Sequence, residues 1–164
     1  MNTKTASSRM EGLLALFDMQ TTFFERALEG VSEEDMYNRL GTKANHMAWL
    51  AGSLVAQRYM MISETHPDMQ QTGADLFKNN KGIDENAKYP AVAAYLQDWK
   101  KVSPHAREAM LAVDDQKLDS EIDMGGMKMT WYELISFTIY REASIIGQLA
   151  LWRRLLNYPA LRYD

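Results

Sequence analysis

An all-α fold, arranged as a four-helix bundle, is what this sequence predicts, on three observations. Apolar residues recur at helical spacing in four long segments. Each of these segments is bracketed by residues that cap or stop helices. Outside one glycine-rich turn, no stretch alternates apolar and polar residues as a half-buried strand would.

The first helix opens at Ser8, with Glu11 three residues on, a capping-box arrangement in which each side chain satisfies an otherwise orphaned backbone N–H. Met10, Leu14, Phe17, Thr21, Phe24 and Leu28 form its inner stripe, widened by Leu13, Leu16 and Phe23. Glu11, Asp18 and Glu25 fall opposite, and Gly30 stops it. Ser32-Glu33-Glu34-Asp35 repeats the cap signature and predicts a short connecting helix ending near Leu40-Gly41.

A second long helix fits residues 45–64, carrying Trp49, Leu50, Leu54, Met60 and Met61, and ends at His66-Pro67, because the residue before a proline is pushed out of the helical region. The polar, turn-rich segment that follows, through Thr72-Gly73 and Asn79-Asn80-Lys81-Gly82, is much longer than a link between antiparallel neighbours requires. It predicts a crossover that leaves helices two and three parallel. Pro90 suits the first position of the third helix, and Val92, Tyr95, Leu96, Trp99, Val102, Ala106 and Met110 keep helical spacing. Pro104 inside that run predicts a kink, not two separate helices.

Residues 114–118 read as another short helical turn, and Met124-Gly125-Gly126-Met127-Lys128-Met129 as a glycine turn that can form a small hairpin. Thr130 and Glu133 supply a second capping box for the last helix. Its inner face runs through Trp131, Leu134, Ile135, Thr138, Ile145, Leu149, Trp152 and Leu156. Arg153 and Arg154 suit its negative end, and Pro159 stops it.

The chain's 164 residues fit a single domain spanning 1–164, and 46% apolar with 24% charged residues is a folding composition. A net charge of −4 without a Lys/Arg block gives nucleic acid no electrostatic footprint. No apolar run approaches a membrane span, and residues 1–9 lack the apolar core of a secretory signal, so a cytoplasmic location is expected. With no Cys there is neither a disulfide framework nor a thiolate site, and the twelve methionines are expected to fill gaps between helices.

Candidate chemistry is sparse. His46, His66 and His105 lie on different elements without an i, i+4 pair, so all three are expected to be exposed and none to hold a metal; no cofactor is expected. There is no Gly-x-Ser-x-Gly, no phosphate loop around Gly125-Gly126 and no Glu-x-x-His. Arg141 and Glu142 differ from the other charges. They sit midway along a helix whose neighbours Leu134, Ile135, Thr138, Ile145 and Leu149 are on the inner stripe, so one of the two must lean inward.

Two stretches carry a family resemblance. Asn45-His46-Met47-Ala48-Trp49-Leu50-Ala51-Gly52-Ser53-Leu54, together with Tyr140-Arg141-Glu142-Ala143-Ser144-Ile145-Ile146-Gly147-Gln148-Leu149 and the trailing Trp152-Arg153-Arg154-Leu155-Leu156, resembles the DinB/YfiT-like superfamily. The resemblance implies a four-helix bundle with a long link between helices two and three, often dimeric. Many members hold a divalent metal with one His on helix two and a His-x-x-x-His pair on helix four, and some act as thiol-dependent transferases, isomerases or hydrolases. Those ligand positions fall here on Ser53, Arg141 and Ile145, which cannot make that site, since isoleucine is no ligand and a guanidinium repels a cation.

The expectation is therefore a metal-free bundle with an interior pocket, where Arg141 binds a small anionic molecule beside Ser53, Thr138, Gln57 and Glu142. The plain alternative for Arg141 is a structural ion pair with an acid from a neighbouring helix, or a reach to the rim. Two other readings stand beside it. One is a metal-dependent thiol transferase or hydrolase with a rearranged site using Glu142; the other is a homodimeric scaffold domain with a packed, ligand-free interior.

Overall fold

The computed structural model describes residues 4–164. Residues 1–3, part of the polar stretch read above, lie outside the described residues. The protein is predominantly helical: α1 (Glu11–Leu28), α2 (Met47–Met61), α3 (Val92–Ala112), a one-turn α4 (Asp115–Asp119) and α5 (Trp131–Leu155). A two-stranded antiparallel sheet, β1 (Glu121–Asp123) with β2 (Lys128–Thr130), pairs Ile122 with Met129 and precedes α5. Gly125 and Gly126 make its turn, both at positive φ, which glycine adopts without a Cβ clash.

Side-chain contacts set the helix directions. Gln20 of α1 donates to the Ile139 carbonyl of α5, and Arg153, later in α5, reaches the Ala27 carbonyl, later in α1, so the two helices run the same way. The α2–α3 pair also runs the same way, because Gly52 lies against Tyr95 and Arg58 against Ser103. By contrast α2 opposes α5, with Trp152 donating to Asn45 O while Arg141 meets Ser53, and α3 opposes α1, with Arg107 on Asp18 while Trp99 donates to Thr21 O. Leu14, Phe24, Leu54, Trp99, Val102 and Leu149 from the four long helices meet in one apolar core.

The capping chemistry explains most of the boundaries, with several corrections. Ser7, not Ser8, caps the first helix: it accepts from the Arg9 N–H at the head of a 3₁₀ turn (Ser8–Met10), while its hydroxyl donates to Asp115 at 2.5 Å. A long-range acceptor thus displaces the local capping box. After Gly30, at φ 70°, the Ser32 hydroxyl does cap Asp35, but residues 33–37 form successive turns and not a helix. Their backbone is instead tied outward, the Met36 carbonyl accepting from Ala48 N–H.

His46 caps α2, its Nδ1 accepting the Trp49 N–H at 3.1 Å, and it is buried against Tyr37 and Tyr89 where exposure was expected. His66 and His105 are half-buried. α2 ends at Met61, three residues short of the expected 64, and the 62–91 connection that follows holds two 3₁₀ turns, Ala74–Leu76 and Lys78–Asn80. Pro90 stands two residues before α3, which starts at Val92 after Ala91. The helix then continues through Pro104 to Ala112. Pro104 and Lys100, whose carbonyl loses its donor, both face outward, where water can satisfy that carbonyl. The Thr130–Glu133 capping box of α5 forms as expected. Among the described residues no helix is long and apolar enough to cross a membrane.

Gly52 shows how the connection is docked. A Cβ there would stand 2.7 Å from Phe77 Cε2 and 2.8 Å from Tyr95 Cε1, and closer still to Phe77 Cζ, so only glycine lets these rings lie on α2. Gly52→Ala should therefore destabilise the protein by about 1–3 kcal/mol despite alanine's better helix propensity. Urea denaturation measures this; an unchanged or higher midpoint would show that Phe77 moves aside freely.

Candidate functional site

The seam between α2 and α5 gathers the chain's most unusual polar residues. On α2, Ser53, Gln57 and Arg58 follow the inner spacing of Leu50 and Leu54; on α5, Thr138, Arg141, Glu142 and Ile145 do the same. Because the two helices are antiparallel, Ser53 comes level with Arg141, and Gln57 with both Thr138 and Arg141.

The inner layer is an ion pair with no solvent exposure at either side chain. Arg58 forms a two-pronged contact with Glu142, Nε to Oε1 at 2.9 Å and Nη2 to Oε2 at 2.8 Å. Nη1 donates to Thr21 Oγ1 and Ser103 Oγ, each at 2.7 Å, and Nη2 reaches the Phe17 carbonyl at 3.5 Å. All five guanidinium donors therefore have acceptors. Phe17 and Trp99 cover the cation at 3.8 and 3.5 Å from their ring centres. Burial lowers the Arg58 pKa, opposed by the hydrogen bond and charge of Glu142.

The outer layer is built on Arg141, which is half-buried. Its Nη2 donates to Ser53 Oγ at 2.5 Å and its Nη1 to Gln57 Oε1 at 2.8 Å. Gln57 can present its oxygen to Arg141 because its Nε2 is held on the other side, donating to the Thr138 carbonyl at 3.2 Å and to Glu142 Oε1 at 3.4 Å. Burial lowers the Arg141 pKa and the neighbouring Glu142 charge opposes that shift. No carboxylate among the described residues pairs with Arg141, and its remaining N–H groups are uncommitted.

Ser53, Gln57, Thr138, Arg141 and Glu142, singled out from the sequence, thus come together, but not all in the expected roles. Thr138 turns its hydroxyl back to Leu134 O and contributes only its carbonyl. Glu142 is wholly buried and committed to Arg58, so it does not line an open site. Arg141 lines neither of two clefts found elsewhere. One, of about 450 Å³, lies between Arg26, Arg153 and Arg162; the other, of about 220 Å³, lies between α1 and α5.

Arg58 was missed by sequence reasoning, although a signal existed. It falls four residues after Leu54 and three before Met61, on the apolar stripe of its helix, where a charge requires a buried partner. Removing the charge by Arg58→Met leaves Glu142 buried and unpaired, and should cost about 3–5 kcal/mol. Adding Glu142→Leu should recover part of that loss in a double-mutant cycle read by urea denaturation. Additive losses would show that the two side chains act independently.

No family model matches the chain, and no curated protein matches it.

Proposed function

We propose that the chain is a divergent DinB/YfiT-like four-helix bundle, with the 62–91 connection as its crossover, and that Arg141 presents a fixed cation to a small anionic ligand at the α2–α5 seam. The observation that carries this reading is the setting of Arg141: two neutral side chains orient it, no carboxylate among the described residues forms an ion pair with it, and donors are left over. A guanidinium so held suits the planar oxygens of a carboxylate or phosphate. The directions of the long helices favour the bundle with parallel α2 and α3, and the close approach of Ser53 to Arg141 favours the resemblance, which places two metal-ligand positions there. In this chain the arginine takes the place of the metal's charge.

The rearranged metal-dependent transferase or hydrolase loses its main support, because both Glu142 oxygens are engaged by Arg58. The homodimeric scaffold keeps one observation in its favour. Leu16 and Met19 on α1 and Phe137, Tyr140 and Leu151 on α5 are exposed apolar side chains on the two helices that pack side by side. Sedimentation at low micromolar concentration separates that dimer from a monomer.

Thermal unfolding in acetate, succinate or phosphate, against chloride at matched ionic strength, tests the ligand reading. An anion at a hundred times its Kd should stabilise the protein by about 2.7 kcal/mol, or roughly 5–10 °C in Tm. Arg141→Met should abolish the shift and leave the fold intact. An equal shift in the variant, or none with any anion, would reject the reading.

A further inference from the structure

His46 stands where three separate parts of the chain meet. Its ring centre lies 5.1 Å from that of Tyr37, in the segment before α2, and 5.0 Å from that of Tyr89, near the end of the connection. Those two tyrosines are locked together: the Tyr37 hydroxyl donates to the Tyr89 carbonyl at 2.9 Å and accepts the Tyr89 N–H at 3.0 Å. Tyr89 in turn packs on Phe77, the ring that rests on Gly52. The third part is α2 itself, which His46 caps. A backbone N–H can only donate, so the Trp49 N–H fixes His46 Nδ1 as a lone pair and leaves the hydrogen of the neutral ring on Nε2.

A proton added to this ring must therefore go to Nδ1. There it removes the acceptor of the cap, sets a cation at the positive end of the α2 dipole, and charges a side chain only 5% exposed. The charges nearby compensate little. Glu85 is already held by Arg39 at 2.6 Å, and the Arg39 charge acts against a second cation. Burial accordingly lowers the His46 pKa, with Arg39 adding to the shift, while a contact with its own backbone and the Glu85 charge oppose it.

We propose that His46 is a proton-operated latch: neutral, it caps α2 and holds the 62–91 connection through Tyr37 and Tyr89; protonated, it frees the first turn of α2 and the connection while the rest of the bundle stays folded. An undocked His46 takes up its proton near the ordinary value of 6.5 and the docked ring only at lower pH. The closed state thus loses stability as pH falls below 6.5, and the loss is complete below the docked value. This latch is separate from the seam at Ser53 and Arg141 and does not depend on the function proposed for it.

Native-state hydrogen exchange followed by NMR between about pH 7.5 and about pH 5, corrected for the intrinsic pH dependence of exchange, provides the test. Protection of the Ala48, Trp49 and Tyr89 amides should fall by about tenfold or more on the acid side, while amides within α5 such as that of Ile145 keep theirs. His46→Asn supplies a cap oxygen that acid does not remove, so the same amides should become insensitive to pH; His66 and His105 remain in that variant as internal controls. An equal acid loss in His46→Asn, a loss spread evenly over α5, or a His46 ring that titrates at or above 6.5 would overturn the proposal. The ring titration is made on the unaltered chain and decides the matter even if the variant does not fold.

Discussion

A guanidinium carried into an apolar interior needs an acceptor for each of its five N–H groups, and at Arg58 those acceptors come from three other helices. Phe17 and Thr21 belong to α1, Ser103 to α3 and Glu142 to α5. The partners are themselves held: the Thr21 hydroxyl donates to Phe17 O, the Ser103 hydroxyl to Trp99 O, and the Trp99 indole to Thr21 O. The aromatic rings packed on the cation continue into the core through the stacked Trp99–Phe24 pair. Apolar packing alone tolerates small slips between helices. This constellation does not, because any slip leaves a buried polar atom without its partner.

The exposed chemistry depends on that buried pair. Glu142 holds Arg58 with both oxygens and receives a further hydrogen bond from Gln57, which turns the Gln57 oxygen outward to Arg141. Ser53, one turn earlier on α2, adds the second fixed contact. The two adjacent α5 charges thus have opposite fates, one neutralised in the core and the other held at the seam. An arginine at a protein surface usually samples many rotamers, and each of these contacts removes part of that freedom. The result is a preorganised cation beside a rigid core.

Much of the architecture was legible locally. The Thr130–Glu133 box, the Gly30 stop and the hairpin at Gly125-Gly126 rest on contacts within a few residues, and they appear where the sequence places them. Errors arose where a distant partner entered. Asp115 engages Ser7, so the first cap moves off Ser8; Tyr37 and Tyr89 bury His46, so a residue read as exposed is enclosed. Arg153, read as a charge near a helix end, is buried and bonded to the carbonyls of Ala27, Glu29 and Pro159.

The sequence by itself determined the number and placement of the long helices, the long connection before α3 and the inward pull on the Arg141-Glu142 pair. These follow from periodicity and capping, which act over one or two turns. Only the tertiary structure decided which partner each inward charge takes. Arg58 and Glu142 are far apart along the chain. Their pairing is set by the relative direction and height of packed helices, which no local spacing encodes.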